Sequence, residues 1–392
     1  MSRRGQVDAV IVGGGVVGAA TALSLAQQGL AVVLVEGREP PAWSAAQPDL
    51  RVYAFAPDNA ALLDALGVWS SIQSARVQPY RRMQVWDAAG GDALSFDADA
   101  LGRAQLGWIV ENALLVDRLW AALPAAGVRL HCPATVEEVE QDDHGVRLRL
   151  SDGTRLDARL AIAADGAASA LRRSAGIEVS DHDYDQRGVV AFIETEQPHA
   201  LTAWQRFLPT GPLAVLPFVD GRSSIVWTLP SAEAERVVAL SDDAFARELQ
   251  SALAGQLGAM RPVSPRAAFP LRRQLAKQFV ADRIVLVGDA AHVVHPLAGQ
   301  GVNLGLRDVA ALRDLVISAQ ARRVDWTAPH RLARWSRQRR SESLAAAYTF
   351  EGINRVFSTD EMHLTLLRGH VLGLAGKLPP LVNLLWRRAS GL

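Results

Sequence analysis

The chain has 392 residues, more than the roughly 250–300 at which a single hydrophobic core usually splits, so two lobes sharing an interface are expected. Lys+Arg and Asp+Glu both number 41, a balance that argues against nucleic acid as a partner, since phosphates demand a basic face. The single cysteine, Cys132, excludes a disulfide framework, a CxxC redox pair and a cysteine-rich metal site within one chain, and reads as a buried structural thiol.

Along the chain, Met1 to Asp8 carries two arginines, but the apolar run after it breaks at Gly13-Gly14-Gly15, unlike a signal peptide. No stretch of about 18 uncharged apolar residues offers a membrane span, so a cytoplasmic location is expected. Ala9-Val10-Ile11-Val12 reads as a buried parallel strand entering Gly13-Gly14-Gly15-Val16-Val17-Gly18, a full GxGxxG. Helical character runs from Ala19 to Gln28, with Gly29 as its C-cap, and Ala31 to Val35 is a second strand ending at Glu36. Each part has a task in dinucleotide binding. Gly13 permits the tight turn, Gly15 lets the backbone approach a pyrophosphate, and Gly18 lets helix and strand pack closely. The helix N-terminus offers unpaired N–H groups to phosphate, and Glu36 can accept from a ribose diol. This motif alone leaves FAD and NAD equally open.

Two further motifs lie far downstream. Ala134 to Asp157 reads as antiparallel strands with a turn at Asp152-Gly153, and the strand Arg159–Ala164 runs into Asp165-Gly166, continuing to Arg172. The strand Arg283–Val287 leads to Gly288-Asp289-Ala290-Ala291-His292 and on through His295-Pro296 to Asn303-Leu304-Gly305, with a helix from about Val302 to Ala319. Asp289 stands at a strand's C-terminal end, where α/β sheets place ligands. The spacing of Asp289, His292 and His295 also permits a metal site. The flanking glycines suit backbone approach to a flat ligand better, and no metal is expected. Val189–Phe192, Ala203–Phe207, Leu213–Phe218 and Ser224–Thr228 read as sheet strands rich in aromatic and β-branched residues. Asp242–Gly258 and His330–Thr349 look helical, while Glu137-Glu138 and Asp142-Asp143 read as solvated charges.

Together, Gly13–Gly18, Asp165–Arg172 and Gly288-Asp289 resemble, in order and spacing, the flavoprotein aromatic hydroxylases of the para-hydroxybenzoate hydroxylase class. Leu50-Arg51-Val52-Tyr53-Ala54, Leu66–Trp69, Met83–Asp87, Ile109-Val110-Glu111-Asn112 and the block Gly288–Asp308 narrow the likeness to the ubiquinone-biosynthesis hydroxylases. Ser95-Phe96-Asp97, Glu196–His199 and Ser224–Trp227 are similar to those that hydroxylate C5 of a 2-polyprenylphenol. Tyr53 is a departure, since the family often has a small residue there, and it puts local substrate contacts in question.

The resemblance implies an α/β fold: an FAD-binding Rossmann-like (GR2-type) domain with an interleaved α+β substrate domain over a mixed or antiparallel sheet. Residues 5–70, 104–175 and 283–320 would form the first, 71–103 and 178–281 the second, and 321–392 a C-terminal helical region. FAD would be held by Gly13, Gly15, Gly18 and Glu36 at the adenosine and pyrophosphate, by Arg51, Asn112, Asp165 and Gly166, by Asp289 at the ribityl chain, and by Pro296, Gly299, Gln300, Gly301, Val302 and Asn303 at the ring. Asn112 could instead cap the following helix, Arg51 could be a surface residue, and Ser169 and Arg172 could simply hold their motif together. The expected chemistry is oxygen transfer from a flavin C4a-hydroperoxide to a phenol ring, using O2 and NAD(P)H or another reductant, with His295 as the candidate base. A polyprenylated aromatic lipid is the expected substrate, and other ubiquinone-biosynthesis proteins are candidate partners. Another ring position, another aromatic substrate or a non-catalytic flavoprotein subunit are the alternatives. Residues 361–392, apolar and mildly basic, would meet either the inner face of the cytoplasmic membrane or a protein surface.

Overall fold

The structure is a computed structural model that describes residues 5–90, 92–294 and 300–357. The strand Val7–Val12 has parallel neighbours on both sides, Val32–Val35 and Arg155–Ala163, which explains why its residues are nearly all apolar and buried. Ile284–Leu286 adds in parallel beyond Arg155–Ala163, and Arg129–His131 beyond Val32–Val35. The hairpin Val136–Asp142 and Gly145–Leu150 branches from the start of Arg155–Ala163, so the antiparallel expectation for Ala134–Asp157 holds. The helices Val16–Ala26, Asn112–Ala122 and Gln300–Ala321 supply apolar residues to the core of this sheet.

The second sheet has nine strands centred on the long strand Val179–Thr195. It pairs antiparallel with Ala267–Ala276 on one side and Ser223–Pro230 on the other. Gly211–Pro217 and Thr202–Leu208 follow, and Arg82–Asp87 joins in parallel, so the sheet is mixed. Alternation along these strands makes two faces. Val189, Ala191, Ile193, Ile225 and Trp227 pack under the helices Ser231–Ala239 and Asp242–Ala252. Phe192, Ala203, Leu216 and Phe218 point the other way, toward the first sheet's side of the molecule.

A small third sheet, Val52–Phe55, Gly107–Glu111 and Gln78–Tyr80, is shared between the two cores. Tyr53, Phe55, Trp108 and Val110 pack with the parallel-sheet core, whereas Leu50, Val52, Ala54 and Ile109 join the apolar face of the second sheet. Trp69 stacks on Phe55 at 5.6 Å and meets Trp108 edge-on at 5.2 Å, fixing that side.

Several boundaries differ from the sequence expectation. The first helix spans Val16–Ala26, starting inside the glycine motif, with Gln27 as its C-cap. The helix expected to reach Gly258 ends at Ala252, and a turn leads to the strand Met260–Pro262 instead. The last described helix is longer than expected, Pro329–Phe357. Cys132 is only half-buried, so it is not the core thiol expected. Among the described residues no helix is long and apolar enough to cross a membrane. The expected contact segment 361–392 lies outside the described residues.

Candidate active site

The glycines of the first motif do different work. A Cβ on Gly18 would stand 1.9 Å from the Gly13 carbonyl oxygen, and one on Gly13, whose φ is +104°, would stand 2.3 Å from the Ala164 oxygen. These two glycines make the turn and bring it against the strand that carries Asp165. Gly15 is exposed, with nothing within 4 Å of its Cβ position, and is the N-cap of Val16–Ala26 with no side-chain cap. A helix start that is bare and open in this way suits phosphate oxygens. Gly14 is constrained as well: a Cβ would meet Trp120 Cζ2 at 2.5 Å.

Glu36 reaches back to the same turn. Its Oε2 accepts from Gly14 N at 2.5 Å and its Oε1 from Arg38 N at 3.1 Å. Trp120 Nε1 donates to the Gly14 carbonyl at 2.7 Å, closing the turn from the helix Asn112–Ala122. Asp165 lies directly beside Gly13. Its Oδ2 accepts from Ala170 N at 2.8 Å and Leu171 N at 3.2 Å, while its Oδ1 is buried with no protein partner. That orphaned acceptor and the open Gly15 are what a hydroxyl- and phosphate-bearing dinucleotide would fill, so the residues present fit FAD. Gly166 has φ +80° at the start of the loop.

Ser169 caps the short helix Ala170–Ser174 through Arg172 N. Buried Arg172 donates to Ala290 O at 2.8 Å and Ala167 O at 2.7 Å, which ties the Asp165 loop to the Asp289 loop. Asp289 is exposed, yet surrounding protein desolvates its carboxyl and raises its pKa, against the opposing charges of His292 and Arg51. Accessibility together with desolvation marks a carboxylate on a concave surface. The loop behind it is fixed by a buried charge network. Asp308 Oδ2 accepts from Gly288 N at 3.0 Å and His292 Nε2 at 2.7 Å, and its Oδ1 accepts from Arg339 Nε at 2.7 Å. Burial pushes the Asp308 carboxyl up, but His292 and Arg339 outweigh it and hold it below the usual range.

Arg51 and Asn112 come together at the end of the small sheet: Asn112 N donates to Arg51 O at 2.9 Å. Asn112 is the first residue of its helix, not its cap, and its Oδ1 accepts from the Tyr53 hydroxyl at 3.1 Å. The capping contact comes from Asp49, whose Oδ2 accepts from Ala113 N at 3.0 Å. Next to it, fully buried Glu111 accepts from Arg76 at 2.7 and 2.9 Å and from Asp49 N at 2.8 Å. Asn303, also fully buried, accepts from Ala56 N and Asn59 Nδ2 and donates to Ala54 O, so the helix Gln300–Ala321 is bolted to the small sheet. Gly301 and Val302 lie in that helix's first turn, which Gln300 begins. His295, Pro296 and Gly299 lie outside the described residues.

The sequence did not single out Trp120, Asp49 or Arg339 as contacts. Each acts on a partner in another segment, and no local pattern announces such a partner. His199 is also structural: its Nε2 faces Phe218 O at 3.1 Å, and its Nδ1 accepts from Leu201 N at 3.1 Å.

A parallel sheet with a glycine turn, an acid on the second strand, two acidic loops converging at the carboxyl ends of the central strands and an apolar second sheet define the class: an FAD-dependent monooxygenase fold. An FAD-binding-domain family model matches residues 6–343. The ubiquinone hydroxylase UbiL of Rhodospirillum rubrum is 39% identical over 98% of this chain and 89% of its own length. The 3-demethoxyubiquinol 3-hydroxylase of Escherichia coli is 39% identical over 86% of each chain. Among solved structures, p-nitrophenol 4-monooxygenase of Pseudomonas putida superposes with a TM-score of 0.78 at 21% identity, covering 98% of each chain. The chain belongs to the FAD-binding hydroxylase family, within its ubiquinone-biosynthesis branch, and FAD is its cofactor.

Proposed function

We propose that this chain hydroxylates the ring of a polyprenylated phenol in ubiquinone biosynthesis, at ring C5. The observation that carries this reading is the two-faced strand Val52–Phe55. Tyr53 faces the side on which Arg51, Asn112 and Asp289 lie, while Leu50, Val52 and Ala54 complete an apolar wall with Phe192, Leu216 and Phe218. An apolar wall back to back with a cofactor cleft suits an aromatic ring with a lipid tail. It also excludes water, which would otherwise divert reducing equivalents to hydrogen peroxide.

One ring C–H becomes C–OH, the second oxygen of O2 leaves as water, and two electrons come from NAD(P)H or another reductant. Bound FAD supplies the redox chemistry. The protein's part is to hold and orient. Gly13, Gly15, Gly18 and the bare helix start receive the pyrophosphate, with Asp165 and Gly166 beside it. Glu36 accepts from the adenosine ribose and Asp289 from the ribityl hydroxyls. Arg51, Asn112 and the segment with Pro296, Gly299, Gln300, Gly301, Val302 and Asn303 line the ring, and His295 draws off the phenol proton. Segments 5–70, 104–175 and 283–320 serve as the cofactor lobe, and 71–103 and 178–281 as the substrate lobe.

A second reading, hydroxylation at a different carbon, is favoured by the name of the E. coli relative. Mass and NMR analysis of the lipid that accumulates in a deletion strain separates the two: a precursor lacking only the C5 oxygen supports the first. In purified protein, Asp289→Ala is expected to lose stoichiometric FAD while keeping its fold, because the exposed carboxyl contributes little to packing. Retention of full FAD would overturn the assignment of that loop. Restoration of ubiquinone in the deletion strain by an FAD-free variant would favour a non-catalytic subunit instead.

A further inference from the structure

Tyr53, where the family often has a small residue, lies on the opposite face of Val52–Phe55 from Val52 and Ala54, packed with the parallel-sheet core. Its neighbour Arg51 and two distant chain segments converge on its hydroxyl. It donates to Asn112 Oδ1 at 3.1 Å, the Arg51 guanidinium lies against it, and the Asp289 carboxylate is near enough to act on it electrostatically. Burial, opposed by Arg51, pushes the phenol pKa up to about 12, so the hydroxyl keeps its proton at neutral pH. Arginine has only donors. The phenol oxygen can therefore accept from Arg51, while its proton goes to the Asn112 oxygen. An amide whose oxygen is taken in this way has its NH2 group left for whatever fills the cleft.

We propose that Tyr53 is a cofactor-positioning residue, whose hydroxyl fixes the Asn112 amide with its NH2 group presented to an acceptor atom of the flavin half of FAD. The proposal rests on reading Asn112 and Asp289 as flavin contacts. It assigns Tyr53 a task that its neighbours Val52 and Ala54, on the other face, do not share.

The test uses full-length protein stripped of FAD and titrated with FAD by flavin fluorescence. Tyr53→Phe keeps the ring and removes only the hydroxyl. It is expected to weaken FAD binding about tenfold, the loss of one well-placed hydrogen bond, and to change the visible circular dichroism of the bound flavin. Asn112→Ala is expected to do the same, and the double variant to bind no more weakly than either single one, since the two act as a unit. Tyr53→Phe binding within about twofold of wild type with an unchanged flavin spectrum would overturn the proposal, as would single effects that multiply in the double variant. Should Tyr53→Phe lower the melting temperature of the apoprotein, Asn112→Ala in the Tyr53 background decides, and wild-type affinity there overturns the proposal. Full FAD affinity in Asp289→Ala would count against the underlying site reading and not against Tyr53 alone.

Discussion

The two glycine-bearing turns that meet at the cleft are built in opposite ways. The Gly13–Gly18 turn is held by close packing: Gly13 and Gly18 pack against carbonyl oxygens that leave no room for a Cβ, and Glu36 and Trp120 bond to Gly14. The Gly288–Asp289 turn is held by charge brought from afar, with Asp308 from one helix, Arg339 from another and Arg172 from the Asp165 loop. Close packing needs only small residues at fixed spacing. A buried ionic brace needs several long side chains to converge and be mutually neutralised, and it concentrates the cost of any single loss.

The largest effect should come from breaking that brace. Asp308→Ala strands the Arg339 guanidinium, the His292 ring and the Gly288 N–H in the interior. It should cost about 3–5 kcal/mol of stability, read by denaturant unfolding of the apoprotein. A cost under about 1 kcal/mol would show that the second turn does not depend on it. Gly18→Ala comes next, since the new methyl meets a backbone oxygen that cannot rotate away; about 1–3 kcal/mol or more is expected, together with loss of FAD. Its counterpart, Gly15→Ala, sharpens the contrast. The protein leaves that position open, so apoprotein stability should move by no more than about 0.5 kcal/mol while FAD affinity falls. Equal destabilisation by the two variants would erase the distinction between packing glycine and ligand-facing glycine.

The smallest effect concerns His199, away from both turns. Burial lowers its pKa, and its Nδ1 must be unprotonated to accept from Leu201 N. A base with a folded pKa below its unfolded value contributes stability that is present above the unfolded value, near 6.5, and is lost as pH falls through and below that value. Melting temperature should therefore drop between about pH 7 and 5 more steeply in wild type than in His199→Gln. Parallel curves would remove His199 as a source of the acid sensitivity.

Much of the cofactor side was legible in the sequence because its determinants are local. The run Ala9–Val12, the glycines at Gly13, Gly15 and Gly18 and the acid at Glu36 are separated by fixed distances along a strand, turn and helix, and the structure puts Glu36 against Gly14 and Asp165 beside Gly13. The alternating strands of the second sheet were legible for the same reason, as period-two patterns with one face buried. Errors fell where tertiary contacts set the outcome. Helical propensity carried the expected helix past Ala252, but the turn into Met260–Pro262, which pairs with Val179–Thr195, ended it. Capping, the alternative weighed for Asn112, falls instead to Asp49, more than sixty residues earlier in the chain, and the Asn112 amide bonds Tyr53.

The sequence by itself determined that a dinucleotide turn exists, which strand and helix frame it and which acids stand at strand ends, because backbone sterics and side-chain periodicity act over a few residues. Only the tertiary structure decided which buried charges are neutralised by which partners, which core each face of Val52–Phe55 joins, and that Arg51, Tyr53, Asn112 and Asp289 come close to one another. Those outcomes depend on packing between segments up to 238 positions apart, from Arg51 to Asp289, where no local rule links one residue to the other.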